Sequence, residues 1–158
     1  MNNDSLKQIV AQGLAAMRAG SDVAARATAE IGKDASDPGL KAALEEGNRT
    51  SQQWAGRIEQ ANRQIGGAAQ DNPVLDALYE VSRRIRQQAP DAVSRDLGII
   101  ANGQLALHYW IAAFGTMATY AKQLGMEEVA RDMKACSEEA KQADEAHTAL
   151  AGRILGRG

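Results

Sequence analysis

The sequence predicts an all-α protein, and three observations carry that prediction. The 158 residues include 31 alanines against six aromatics; this composition suits helices and lacks the β-branched and aromatic residues that a β-sandwich or barrel packs. Apolar residues recur at spacings of three and four along most of the chain, the period of an amphipathic helix. The only prolines, Pro38, Pro73 and Pro90, stand where helices can begin, because Pro is tolerated in a first turn and breaks an interior. A chain of this length suits one domain with a real core, here residues 1–158, rather than two.

The elements follow in order. Ser5-Leu-Lys-Gln reads as a capping box and opens a first helix, whose stripe is Leu6, Val10, Leu14, Met17, Ser21, Ala24, Thr28 and Ile31. Asp37 caps a second, with Leu40, Leu44, Ser51, Ala55, Ile58, Asn62 and Ile65 on one face and Gly66-Gly67 as its stop. Asn72 caps a shorter third helix with Leu75, Leu78, Ser82 and Ile85 inward and Arg83, Arg84 and Arg86 on a solvated face. Ala89 is a poor cap, so the boundary at Pro90 is soft.

Residues 97–121 contain no Asp, Glu, Lys or Arg. Asn102, Gln104, His108, two threonines and three glycines make the run too polar for a membrane span. It reads instead as a central helix buried on most sides, with the stripe Leu107, Ile111, Phe114, Ala118, Ala121 and Leu124 and with Trp110 beside it. Gly125 stops it. A last helix carries Val129, Met133, Cys136, Ala140, Ala143, His147, Leu150 and Ile154, and residues 152–158 read as a frayed tail. Four long helices and one short one predict an up-and-down four-helix bundle with an additional short helix.

Charge and cysteine content limit the function classes. Eighteen basic residues against twenty acidic ones give a net charge of −2, which argues against a nucleic-acid binder. One thiol makes no intramolecular disulfide, and no apolar leader segment follows Met1, so the expectation is a cytoplasmic protein attached to no membrane.

Helical bundles hold metals with inward Glu and Glu-x-x-His pairs, because i and i+3 share a face. The sequence has no Glu-x-x-His; its two histidines follow Leu105 and Asp144 at that spacing. Asp144 and His147 are placed to touch on the last helix, as a structural pair. His108 and Cys136 read as core or interface residues, the thiol behaving as a small hydrophobe without an evident activating base. Trp54, Trp110 and Phe114 are the candidates for lining an apolar ligand cavity. No phosphate loop, dinucleotide fingerprint or zinc spacing is present.

The string Gln-Leu-Ala-Leu-His-Tyr-Trp-Ile-Ala-Ala-Phe-Gly-Thr-Met-Ala-Thr-Tyr-Ala-Lys-Gln-Leu-Gly at residues 104–125 resembles the signature helix of the YciE/YciF family of bacterial ferritin-like proteins. That family's pattern runs Glu-His-Tyr-Glu-Ile-Ala, a Tyr-Gly-Thr-Leu step and Ala-Glu-Gln-Leu-Gly. The last helix, with Met133-Lys134, Glu138-Glu139, Lys141, Asp144 and Thr148-Ala149-Leu150-Ala151, is similar to the family's last helix. The resemblance runs with few or no gaps from about residue 15 to residue 151. It implies a ferritin-like four-helix bundle, usually dimeric, in a stress-response setting.

It also implies a di-iron type of centre, and here this sequence departs from the pattern. The family's ligand positions fall at Ser21, at Arg49 and Gln52, at Leu107 and Trp110, and at Ala140. Asp144 is kept, Glu138 and Glu139 stand in an acidic run, and Glu80 can match a family Glu unless the register places Val81 there. Burying carboxylates without a cation is costly, so apolar and small replacements suit a bundle that has given up its metal. Arg49 either points inward, pairing with a surviving acid such as Glu80 or Asp144, or outward, where it carries no message.

The reading is therefore a metal-free, non-catalytic ferritin-like protein with no cofactor that binds a partner protein or a small apolar ligand. The alternative is an iron or manganese protein or oxidoreductase with a site reorganised around Glu80, His108, Glu138, Glu139, Asp144 and His147. A homodimer with the uncharged helix in its interface is compatible with either.

Overall fold

All but the last helix start where a side-chain oxygen accepts an open backbone N–H. In the computed structural model, which describes residues 2–156, the elements are α1 (Asn3–Asp34), α2 (Pro38–Ile65), α3 (Pro73–Gln88), α4 (Ala92–Gln123) and α5 (Glu127–Leu155). Asn2, not Ser5, caps α1: its side-chain oxygen accepts the Ser5 N–H at 2.9 Å, so Ser5 lies already inside the first turn. Asp37 caps α2 by accepting from Gly39 and Leu40. The left-handed φ of 114° at Gly66 closes that helix, a conformation glycine adopts without a Cβ penalty.

Asn72 caps α3 and also donates through Nδ2 to the Ala16 carbonyl and the Tyr109 hydroxyl, tying the start of α3 to α1 and α4. At the soft boundary, Ala89 ends α3 and Asp91 caps α4, accepting from Ser94 at 2.7 Å; Pro90 lies between the two helices. Gly125, at φ 73°, turns the chain into α5. The expected frayed tail begins too early, since Gly152 to Leu155 continue α5; residues 157 and 158 lie outside the described chain.

The contacts fix the helix directions. Ile31 shares a cluster with Leu40, Trp54 bonds Glu139 and Gln60 bonds Glu128, Gln104 bonds Thr148, and the Asp96 carboxylate meets the loop after α1. Each neighbouring pair in the ring α1–α2–α5–α4 is therefore antiparallel. The short α3 lies along α1 and α4, with Asn72 near Ala16 at one end and Arg86 on Asp34 at the other. It carries the chain back along the bundle before α4 begins.

Two apolar clusters fill the interior. One joins Val10, Leu14, Met17, Ile58, Leu75, Phe114, Met133 and the two tryptophans; the other joins Ile31, Leu40, Ile99, Ile100, Leu150 and Ile154. Their ring contacts are specific: Trp54 meets Phe114 edge-on at 5.2 Å, and Phe114 stacks on Trp110 at 5.2 Å. Such pairs add about 0.5–1.5 kcal/mol beyond the area they bury.

Two expectations about burial change. Helix α4 is not buried on most sides: its buried line is Ile99, Asn102, Ala106, Trp110, Phe114, Met117 and Ala121, so Trp110 is on the seam and Leu107, Ile111 and Ala118 flank it. By length and composition alone α4 could cross a membrane. In this bundle one side packs, and the opposite row, Ala101, Leu105, His108, Ala112, Thr116 and Thr119, is exposed. Arg86 is not on a solvated face. It is buried, with Nε on Asp34 at 2.8 Å and Nη1 on Ser82 at 2.6 Å, whereas Arg83 and Arg84 are solvated as expected and pair with Glu80.

Candidate binding cavity

Between the two clusters the bundle fails to close, leaving a cavity of about 560 Å³. Its floor comes from α1, α3 and α4: Ala24, Thr28 and Ile31, then Tyr79 and Ser82, then Ile99, Asn102, Ala106 and Trp110. Small side chains on facing helices, Ala24, Ala43, Gly47, Ser51, Gly103, Ala106 and Ala143, leave space that larger ones would fill. The rim is made by exposed residues of α2 and α5, among them Glu46, Gly47, Gln53, Gln142 and Ala146, so the cavity opens between those two helices.

Of the three ligand-lining candidates, Trp54 and Trp110 stand in the wall and Phe114 does not. Phe114 is fully buried beneath them and supports both indoles. The Trp54 Nε1–H donates to Glu139 Oε2 at 2.7 Å, and Arg57 donates to the same carboxylate at 3.0 Å. This linkage pins the rim of α2 to α5. Arg57 Nη1 also lies 3.3 Å from Cys136 Sγ. The sulfur first and Glu139 second hold that guanidinium firmly charged. Burial pushes the Cys136 thiol up, against the smaller opposing pull of Arg57, so the sulfur is a packed thiol rather than a nucleophilic thiolate.

The polar floor carries two groups with spare capacity. Asn102, 2% exposed, donates through Nδ2 to the Leu78 carbonyl at 3.1 Å, and its Oδ1 has no partner. His147 places Nδ1 2.8 Å from the Ala143 carbonyl; a carbonyl only accepts, so Nδ1 carries the hydrogen and Nε2 keeps its lone pair in the neutral ring. Tyr79 completes this end. Burial pushes its hydroxyl up to about 12, with the Thr28 hydroxyl opposing.

The positions assigned by resemblance scatter. Leu107 and Trp110 line the cavity, Ala140 is fully buried, and Ser21 is half-buried with its hydroxyl on the Met17 carbonyl. Arg49 points outward to Glu46, its side chain 64% exposed, and Gln52 is exposed too. The interior of α2 is instead presented by Ser51 and Trp54, which share the same i, i+3 spacing two residues further on.

The alternative cluster does not assemble. Glu80 sits against Arg83 and Arg84, which hold its carboxyl low. Glu138 pairs with Lys141 on the surface, and Glu139 is held by Trp54 and Arg57. Asp144 meets His108 Nε2 at 3.2 Å and Gln104 at 3.1 Å, not His147 as its spacing suggested. Among the described residues no three His, Cys, Asp or Glu side chains converge as a cation would need. A di-metal centre, which takes several carboxylate oxygens from facing helices, does not fit these residues.

Sequence reasoning missed Asp96 and Asn102, both buried polar residues of α4. Asp96 accepts the Ser36 N–H at 2.8 Å and the Asp37 N–H at 2.7 Å, fastening the α1–α2 turn. No local spacing signals either role, because each partner lies on another element.

Fold and cavity together define an all-α helical-bundle protein with a ligand-sized cavity and no metal-holding cluster of His, Cys, Asp or Glu among the described residues. The chain belongs to DUF892, a family described as a domain of unknown function, whose profile matches residues 4–157. It is 36% identical over 77 residues to Protein YciF of Escherichia coli strain K12; that stretch is 49% of this chain and 46%, under half, of the relative. The crystal structure of the E. coli stress protein YciF superposes with a TM-score of 0.91 at 24% identity, covering 97% of this chain and 98% of that one. YcfI, described as a putative structural protein from Rhodopseudomonas palustris, superposes at 0.86 with 22% identity, over 90% and 92% of the two chains. At these identities the two structures speak for the fold alone.

Proposed function

We propose that this chain is a non-catalytic, metal-free binding protein that holds a small apolar molecule between its helices, in the stress-related setting that the description of YciF suggests. The cavity of about 560 Å³ carries the reading: it lies within the roughly 300–1,000 Å³ of small-molecule sites, and like theirs its exposed wall is mostly apolar. Two indoles in the wall supply flat apolar contact. Calorimetric titration with naphthalene tests it. Saturable binding is expected, abolished by Ala106→Phe, whose ring would occupy the space; a wild-type protein that takes up no naphthalene overturns the reading. Metal content after anaerobic loading with Fe(II) and with Mn(II) tests the other half, and stoichiometric metal in the purified protein would refute it.

A second reading concerns the partner, and it coexists with the first. The exposed row Ala101, Leu105, His108, Ala112, Thr116 and Thr119 belongs to a stretch without a single Asp, Glu, Lys or Arg between residues 97 and 121. Leu105 alone is 57% exposed. A second copy of the chain presenting the same uncharged row is the simplest cover, as in an isologous dimer. Light scattering should give twice the chain mass, and Leu105→Glu should halve it; a strictly monomeric wild type would remove this reading.

A further inference from the structure

We propose that the occupant of the cavity is a single-chain aliphatic molecule that lies along the bundle axis with its polar end at the mouth between α2 and α5. This rests on the binding reading above and specifies its ligand class. The lining residues set the shape. Helix α4 contributes Ile99, Gly103, Ala106, Leu107 and Trp110, one face over three turns, and α2 lines the space from Ala43 to Trp54. An advance of eleven residues along either helix is a rise of about 16 Å. Helix α1 from Ala24 to Ile31 and α5 from Glu139 to His147 cover about 10–12 Å of that length. A volume of about 560 Å³ spread over ~16 Å leaves a cross-section of about 35 Å², or roughly 6 Å across. The space is a slot, longer by far than it is wide. A staggered alkyl chain advances about 1.3 Å per carbon, from C–C bonds of about 1.5 Å, so the slot takes about twelve carbons in line.

Side chains close both ends. At one, Trp54 and Trp110 pack against each other with ring centroids 6.2 Å apart and rest on Phe114, so a chain stops against them. At the other, Ile31 and Ile99 join the cluster of Leu40, Ile100 and Leu150. Between the ends the lining is mainly small, with Ala24, Ala43, Gly103, Ala106 and Ala143, which suits methylenes that ask only for contact. At the mouth the exposed amides of Gln53 and Gln142 suit a hydroxyl or an ester. The two carboxylates of the lining are each paired, Glu46 with Arg49 and Glu139 with Arg57, so chain length rather than charge sets the affinity.

Displacement of bound naphthalene, followed by its fluorescence, tests this with 1-octanol, 1-decanol, 1-dodecanol and cyclododecanol. Affinity is expected to rise about two- to fourfold with each methylene from 1-octanol to 1-dodecanol, the upper figure being the ~0.8 kcal/mol of a fully buried CH₂. Cyclododecanol carries the same carbon count and hydroxyl in a ring broader than the slot. It should bind at least about tenfold more weakly than 1-dodecanol, the equivalent of two methylenes left out of contact. Gly103→Leu shortens the slot: a Cβ there has ordinary room, 3.6 Å from His147 Nε2, and the branched end fills the space beyond it. This variant should hold 1-octanol and 1-dodecanol equally. Ala43→Phe, which closes the slot near Ile99, is the second variant with the same expectation, should Gly103→Leu fail to fold. Flat affinity from 1-octanol to 1-dodecanol in the wild type, cyclododecanol matching 1-dodecanol, a full length gain in a folded variant, or alcohols that leave naphthalene in place overturns the chain-shaped occupant and leaves the cavity reading standing. Failure of naphthalene itself to bind overturns the cavity reading and this one with it.

Discussion

Replacing Trp110 by Glu tests whether the seam of α4 is a low-dielectric interior. Trp110 is 5% exposed, stacks on Phe114 at 5.2 Å and has Tyr109 edge-on at 5.2 Å. Deleting a buried ring of this size costs about 3–5 kcal/mol. Trp110→Gln measures that packing loss together with the burial of a neutral polar group, because Gln is neutral and close to Glu in shape. Glu adds the cost of a charge, since no Lys or Arg lines the cavity at this level. A carboxyl so placed has its pKa raised by roughly 1–3 units, which at about 1.4 kcal/mol per unit gives Trp110→Glu a further ~1.4–4 kcal/mol of destabilisation at neutral pH. The folded-state pKa then lies above the unfolded one. The extra loss is therefore absent below the unfolded value near 4 and grows as pH rises through the raised folded value. Urea unfolding of both variants at pH 4 and pH 7 reads this out: the two should coincide at pH 4 and separate at pH 7. A Trp110→Glu protein within about 1 kcal/mol of wild type, or variants equally stable at both pH values, would refute an apolar interior at residue 110.

Three further outcomes follow from buried polar groups and one close approach. Asp96→Ala leaves the Ser36 and Asp37 amides without their acceptor and should cost about 3 kcal/mol, lowering the melting temperature by roughly 6–12 °C in a chain of this size. Between pH 10 and 12 the half-buried Tyr79 keeps a proton that the unfolded chain has released, so stability should fall as pH rises through that window. Wild type should lose about 2–3 kcal/mol more than Tyr79→Phe across it, as read from urea midpoints, and equal losses would show that Tyr79 is not desolvated. Gly98→Ala should lower the melting temperature although Ala is the better helix former, because a Cβ there runs into Cγ2 of the β-branched Ile85 on α3; a raised melting temperature would mean that α3 and α4 are free to move apart.

What the sequence made legible was whatever is written locally. Prolines after Asp37 and Asn72 and glycines at 66 and 125 marked real helix ends because capping needs only neighbours within a turn. The apolar stripes of α1, α2 and α5 held for the same reason. Arg86 went wrong because its partner Asp34 is 52 residues away, and Asp144 because it prefers His108 across the α4–α5 seam to His147 on its own helix. Periodicity assigns a face and says nothing of what stands opposite it. The cavity was half legible: Trp54 and Trp110 were visible as large apolar residues, whereas Asn102 gave no signal until Leu78 was brought beside it.

The helix-two register shows how the resemblance and the geometry limit one another. Carried over residue by residue, the resemblance puts two ligand positions of α2 at Arg49 and Gln52, both solvent-facing. A bundle metal site needs them inward. Moved by two residues, the pair becomes Ser51 and Trp54, which line the same interior as Leu107 and Trp110 on α4. Neither Ser–Trp nor Leu–Trp supplies a carboxylate or an imidazole, so in either register these facing pairs offer a divalent cation no anionic ligand. The same two pairs offer an apolar guest two indoles and a hydroxyl. Space lined by Ala24, Ala106 and Ala143 favours an apolar molecule over an ion.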